Sequence, residues 1–500
     1  MKFFIGAIIT ALLLVNHAYG SDSLEVLKKQ LEEQKNLVLE LERRIQELEK
    51  AKDREGPRTP MEGEKKQLFG KLEDRTFRLN QKIGDYGPYG LVKVGSKFFP
   101  DLSLIVDGSL VGRNLEDREF RLSEIPGFSH VHGEQDSHEH KDYNSERGFN
   151  LNYGELALSS AVDPYFDLTG VLHISEHNTE LEEAFFNTRS LPWGFQLKAG
   201  KFYSSFGRLN GQHHHIWDFA DQPLVYKVMF GGHNLLEKGA QLNWLAPTDF
   251  YLLLGLEAFQ GENESSFGYK GFEVEIFQDG YTKVIKDASV PSLWVGFLKG
   301  SKDLGNLTIL GGVSYALGKA NVNHLMVEEH PHALSADSKI FGIDLTAKYL
   351  LSSKRYLMWQ TEFLHRNMDG THYEYLDTNN DDTFDFTSTA SVKRKQSGLY
   401  TQLVWKFHES WRLGFRYDLL NKNSFYENGI KLLQTGEGQP LDRNLYRYSF
   451  MTDYSPTEFS RIRLQYNNDR SRYINTERKN INEIILQFNM AIGAHGAHAF

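Results

Sequence analysis

The chain has no cysteine. A disulfide framework and a thiol-linked lipid anchor are both excluded, so a secreted chain of 500 residues must hold itself together by burial or by closing a sheet on itself. Long apolar runs are missing as well. The early run from Phe3 to Val15 is too short to span a bilayer, and no stretch of about 20 apolar residues occurs later, which excludes a helical membrane protein. Proline is sparse, at 13 residues against 43 glycines, and a surplus of positive charge is absent. The formal net charge of -10 argues against nucleic acid as a partner.

What is present begins with an address. Lys2, the apolar run and the small residues at Ala18 and Gly20 read as a secretory signal peptide over residues 1–20. Residues 21–52 then carry a heptad pattern, with Leu24, Leu31, Val38 and Ile45 at a and Leu27, Gln34, Leu41 and Leu48 at d. This predicts a short α-helical coiled coil that makes a homo-oligomer, with packing back onto the same chain as the alternative. Gly56, Pro57, Pro60 and Gly63 among charges mark residues 53–100 as linker and barrel lead-in.

Beyond about residue 100 the period becomes two. Ile484, Leu486, Phe488, Met490 and Ile492 alternate with Ile485, Gln487, Asn489 and Ala491, and Leu413, Phe415, Tyr417 and Leu419 alternate with Arg412, Gly414, Arg416 and Asp418. Tight turn signals stand at 163–164, 192–194, 247–249, 304–306, 352–354, 408–410 and 455–457. The connections between successive hairpins are mostly long and polar: 113–147, 203–236, 261–289, 318–336, 368–389, 421–441 and 469–479. Short turns on one side and long loops on the other are the mark of an outer-membrane barrel. The expected fold is therefore an all-β transmembrane antiparallel β-barrel over 101–500. It has about sixteen strands, within a range of about 14–18, and is preceded by the coiled coil. An even count places both barrel ends and the coiled coil in the periplasm of a Gram-negative-type envelope, with outer-membrane lipid around the barrel. The final Phe500 fits a substrate of the barrel-insertion machinery.

The stretch "VDPYFDLTGVLHISEHNTELEEAFFNTRSLPWGFQLKAGKFYSSFGRLNGQHHHIWDFADQPL" and the ending "GAHGAHAF" resemble a family of bacterial porin-like outer-membrane barrels. Some of its members are labelled zinc-regulated TonB-dependent outer membrane receptors. The resemblance implies an outer-membrane location and a connection to zinc.

Three groups of residues carry candidate chemistry. Arg412, Arg416, Arg447, Arg461 and Arg463 fall on the polar phase of three consecutive strands, where they are expected to line the pore and bias it toward anions. The alternative is pairing with Asp418, Asp453 or Glu362. Loop 203–236 is too apolar for water, with Phe206, Ile216, Trp217, Phe219 and Phe230. It is expected to fold inward and set Asp218 and Asp221 against the arginines across a constriction.

The candidate metal ligands are histidines. His130, His132, His138 and His140 lie among carboxylates in the first long loop, His213, His214 and His215 in the inward loop, and His330 and His332 further on. Neutral imidazole suits Zn2+, held weakly and exchangeably. Asp377, Asn379, Asp381 and Asp385 follow the odd positions of a calcium loop, although Asp382 replaces the turn glycine. Solvated polar loops are the alternative in each case. No cofactor is required, and bound Zn2+ or Ca2+ is the weak addition these residues allow.

The expected function is a porin-like channel for passive diffusion of small hydrophilic solutes or ions, linked to uptake of zinc or another divalent metal. The alternatives are a closed metal-binding or structural barrel, and a TonB-dependent-type zinc receptor lacking a full plug. No nucleophile motif or paired catalytic carboxylates suggest an enzyme.

Overall fold

The computed structural model describes residues 100–128, 143–176, 178–263, 265–326, 331–379, 381, 383–436 and 438–493. The signal-peptide, coiled-coil and linker expectations lie outside these residues, as does the chain end. The main sheet holds eighteen strands, and two of them, Ser424–Glu427 and Ile430–Leu432, form a small hairpin on one long strand. The other sixteen close an antiparallel barrel. They are β1 (Asp101–Arg113), β2 (Gly148–Ala161), β3 (Phe166–Ile174), β4 (Thr179–Thr188), β5 (Phe195–Tyr203), β6 (Leu236–Leu245), β7 (Tyr251–Phe259) and β8 (Leu293–Leu304), followed by β9 (Leu307–His324), β10 (His332–Ser352), β11 (Arg355–Leu376), β12 (Phe386–His408), β13 (Trp411–Leu420), β14 (Leu445–Thr457), β15 (Ser460–Asp469) and β16 (Ile481–Gly493). Closure is direct, since β1 pairs with β2 on one side and with β16 on the other, Ser103 opposite Gly493 and Arg113 opposite Glu483. Barrel closure satisfies every strand's hydrogen bonds and leaves no edge, which a sheet needs in order to stand in hydrocarbon.

The period-two pattern fixes which way each side chain points. In β16 the outward phase carries Ile484, Leu486, Phe488, Met490 and Ile492, and the inward phase carries Gln487 and Asn489, which donate to Asp107 of β1. Large apolar side chains stand exposed on the outward phase all round, including Leu298, Val313, Ile343, Leu403, Leu413, Phe450, Leu464 and Ile484. Trp193, Trp244, Trp405, Trp411 and Tyr454 gather toward the turn end. An apolar belt that large is untenable in water and matches lipid, with the aromatics at the interface.

The walls are unequal. Strands β3–β7 have nine or ten residues each, whereas β9–β12 have 18, 21, 22 and 23. The connections expected at 318–336 and 368–389 are therefore shorter than the sequence indicated. Strand pairing continues to His324 and His332, and to Leu376 and Phe386. In these upper segments the outward phase turns polar, with Lys319, Asn321 and Asn323 following Leu317, while Ala320, Leu334, Ala336, Met368 and Val392 stay buried together on the other face, so the membrane-type alternation is lost although the ladder of hydrogen bonds is not. The last turn also sits later, at residues 458–459, because β14 runs through to Thr457.

Candidate functional site: the loop inside the barrel

The connection 204–235 enters the lumen, and of its residues only Gly211 and Gly232 are exposed. Its apolar side chains drive this. Phe206, Leu209, Trp217, Tyr226, Met229, Phe230 and Leu235 are buried in one cluster with Leu293, Val295, Ile340 and Leu364 from the wall. Each fully buried side chain of this size is worth roughly 1.5–3 kcal/mol. Within the loop, helix α1 (Leu224–Phe230) is too short to stand alone, and every residue in it except Lys227 is buried.

A buried backbone needs partners, and the wall supplies them with carboxylates. Glu257 of β7 accepts from the Ser204 hydroxyl and from the Ser205 N–H at 2.8 Å. Glu362 of β11 accepts the N–H groups of Arg208 and Leu209 at 2.8 and 2.9 Å, and the Tyr226 hydroxyl at 2.7 Å. Asp418 of β13 takes the Leu224 N–H at 3.0 Å, at the start of α1. Gly207 has φ +60, and a Cβ there would collide with Tyr226 and Glu362. Only glycine allows that approach.

At one side of the lumen the loop meets the five arginines. Arg412 pairs with Asp218 at 2.7 Å and with Asp453 at 2.6 Å. Arg416 pairs with Asp221 at 2.7 Å and Asp418 at 2.9 Å, and Arg447 with the same two at 2.9 and 3.2 Å. Arg463 donates to the Trp217 carbonyl at 2.8 Å, and Arg461 to the His215 carbonyl at 2.6 Å. Burial works against charge on Asp221, but Arg447 and Arg416 outweigh it and hold the carboxyl well below the usual range. Asp218 and Asp221 thus lie directly against the expected pore-lining arginines. These arginines do not stand as a water-facing wall: Arg416 and Arg463 are 1% and 0% exposed, and the loop together with the strand aspartates Asp418 and Asp453 holds them.

The opposite side of the loop meets glutamates. The 3-10 turn His214–Ile216 splits the histidine triplet. His213 and His215 turn toward Glu155 of β2, at 3.1 and 3.3 Å, while His213 also reaches Glu182 and Glu183 of β4 at 3.6 and 2.9 Å. Burial works against a charge on His213, but Glu155 and Glu182 outweigh it and raise its pKa well above the ordinary value. His214 faces the other way. Its ring stacks on Tyr143 with centroids 3.9 Å apart, and burial pushes its pKa down to about 4.

The three glutamates were not among the residues singled out from sequence. Their signal is the adjacent pair Glu182-Glu183, which breaks the alternation of β4. The register with β3 passes from Glu183 opposite Val171 to Leu181 opposite Leu172, leaving Glu182 as the extra residue of a β-bulge. A bulge turns two successive side chains to the same face.

The remaining candidates do not join this centre. His130, His132, His138, His140 and His330 lie outside the described residues. His332 begins β10 and lies beside His324 and His372, with ring centroids 5.2 and 5.8 Å away. In loop 377–385, Asp385 accepts from the Thr378 N–H and hydroxyl, and Asp377 and Asn379 accept from the Asp381 N–H. These oxygens serve the loop's own turns instead of facing a shared point.

Among known proteins, the chain is 51% identical over 429 residues to an uncharacterized protein of Aquifex aeolicus (strain VF5), covering 85% of this chain and 86% of that one. The chain belongs to that protein's family. No family model matches it, and none of these comparisons supports the zinc-regulated receptor label. Solved structures with a similar course include the outer membrane channel DcaP of Acinetobacter baumannii, with 11% identity over 80% of this chain and 100% of that one and a TM-score of 0.44. Pseudomonas putida OprB has 12% identity over 79% and 94%, with a TM-score of 0.44. An anion-selective porin of Comamonas acidovorans has 8% identity over 79% and 99%, with a TM-score of 0.41. Such values leave the interior of this chain to be read from its own side chains.

Proposed function

We propose that this family member is a porin-like outer-membrane channel through which small hydrophilic solutes diffuse, with the loop 204–235 as its constriction. The observation that carries the reading is the division of the wall: apolar side chains such as Leu413, Phe450 and Leu464 outside, and Arg412, Arg416, Arg447, Asp453 and Glu362 inside, where they hold the inward loop. A barrel built only to anchor something in lipid has no need for a charged interior. Because the arginines are paired with aspartates, the passage is expected to favour anions only weakly.

A second reading is favoured by one specific observation. The loop is bound to β7, β11, β13 and β15 on one side and to β2 and β4 on the other, a span suited to a closed barrel that binds metal or serves the envelope structurally. Metal uptake and a TonB-dependent receptor activity have less to rest on, since no comparison supports either and, among the described residues, it is the loop 204–235 that occupies the lumen.

Single-channel recording from the refolded protein in a planar bilayer separates the readings. Small, uniform current steps with weak anion preference support the constricted pore. A silent wild type that conducts once residues 208–230 are deleted supports the closed barrel, and a silent deletion variant with an intact barrel sinks both.

A further inference from the structure

The side of the loop that meets β2 and β4 has a geometry beyond what a constriction needs. Glu155, His213 and His215 each offer a ligand atom, and all three atoms lie within 4.8 Å of one another. The Glu155 Oε2 stands 3.1 Å from His213 Nδ1 and 3.3 Å from His215 Nδ1. Any two ligands of a tetrahedral ion with bonds of about 2.0–2.1 Å are themselves roughly 3.3 Å apart. Glu155 thus stands at the spacing of a coordination shell from each histidine, and the two histidine nitrogens lie within 4.8 Å of each other.

Two further carboxylates complete the pattern. Glu182 Oε2 lies 3.6 Å from His213 Nδ1 and has no hydrogen-bond partner among the described residues, although the residue is only 7% exposed. Its other oxygen accepts from the Tyr203 hydroxyl at 2.5 Å, which aims the carboxylate into the cluster. Glu183 meets the far nitrogen of His213, Nε2, at 2.9 Å and takes the Tyr203 N–H at 3.1 Å. A ligating imidazole normally donates its second N–H to just such a carboxylate, which fixes its tautomer. A buried group of three carboxylates and two imidazoles also carries surplus negative charge that a dication would balance.

We propose that Glu155, His213 and His215 ligate a divalent first-row cation such as Zn2+, with Glu182 at the fourth position and Glu183 orienting His213, so that the ion staples the inward loop to β2 and β4. Imidazole with carboxylate suits Zn2+ better than Ca2+ or Mg2+, which prefer all-oxygen shells. The site is buried and draws its ligands from two strands and the loop together, so release is expected to be slow. His214 takes no part.

The test is Zn2+ binding by the full-length protein in detergent, where the outcome is independent of whether the barrel conducts. Wild type is expected to retain one ion through buffer exchange after loosely held metal is removed. His213→Ala/His215→Ala is expected to lose it while keeping the compact, heat-modifiable mobility of a folded barrel. Glu182→Gln, which preserves shape, weakens binding, and Glu183→Gln weakens it roughly 10–100-fold. X-ray absorption of the retained ion should show two imidazoles with oxygen ligands. Retention of the ion by the folded double variant overturns the proposal. If that variant fails to fold, unchanged affinity in Glu182→Gln and Glu183→Gln overturns it equally, as does a wild type that retains no ion.

Discussion

The two sides of the lumen treat the same loop in different ways. Toward β13–β15, loop and wall carry opposite charges: Asp218 and Asp221 meet Arg412, Arg416 and Arg447, and Asp418 and Asp453 fill the remaining positions. Toward β2 and β4, Glu155, Glu182 and Glu183 face two histidines, and negative charge is left over. On the first side every one of these aspartates is paired with an arginine within the protein. The second is complete only with protons or a cation. A loop held in this way is fixed at one end by the fold and adjustable at the other by what the medium supplies.

The largest effect should come from breaking the paired side. Asp221→Asn takes away one of the two carboxylates that Arg416 and Arg447 share, leaving Asp418 alone between two buried guanidinium groups, and breaking a buried ion pair costs about 3–5 kcal/mol. Amide hydrogen exchange across 218–224 accelerates accordingly, while exchange in the barrel strands is unchanged. A comparable loss follows from Phe206→Ala, since a buried Phe→Ala costs about 3–5 kcal/mol. Phe206 is fully buried against Gly342, so this variant loosens the start of the loop and spares the arginine pairs. Exchange at 205–210, rising without a rise at 218–224, checks it. Asp218→Asn is milder, because Arg412 keeps Asp453 at 2.6 Å. The partly exposed pair is worth about 1 kcal/mol, and the same exchange experiment should place it well below Asp221→Asn.

The smallest effect distinguishes the sides by pH. Asp221 has a depressed pKa when folded, so the stability it confers is full above the unfolded value of about 3.9 and is lost only as pH falls through the folded one. The difference in loop exchange between wild type and Asp221→Asn should therefore stay constant from neutral pH down to about 4 and narrow only below that. A difference that vanished near neutrality would mean that the arginine side does not hold the loop.

Much of this architecture is legible in the sequence because a membrane barrel writes itself in alternation. The outward phase Ile484, Leu486, Phe488, Met490 and Ile492, the tight turns other than the last, and the inward course of the apolar loop that carries Asp218 and Asp221 follow from period and composition. The tall wall is less legible: the segments Gly318–His324 and His332–Asp337 pair as strands whose only apolar phase is the short one of Ala320, Val322, Leu334 and Ala336, without the large apolar side chains of the membrane belt. The glutamate cluster escapes for another reason. Glu155 and Glu182 come together with His213 only through a one-residue bulge and a loop crossing the lumen; the bulge shows only as the break at Glu182-Glu183, and the crossing leaves no periodic trace.

The central claim is that the loop 204–235 sets the passage through a diffusion barrel and that its aspartates latch it to the arginine wall. Single-channel conductance of wild type and of Asp218→Asn/Asp221→Asn, recorded in the same bilayer and salt, tests this most directly. The account predicts small steps for wild type and steps several-fold larger, more anion-selective and noisier for the double variant. Identical step size and selectivity in both, with the barrel folded, would contradict it.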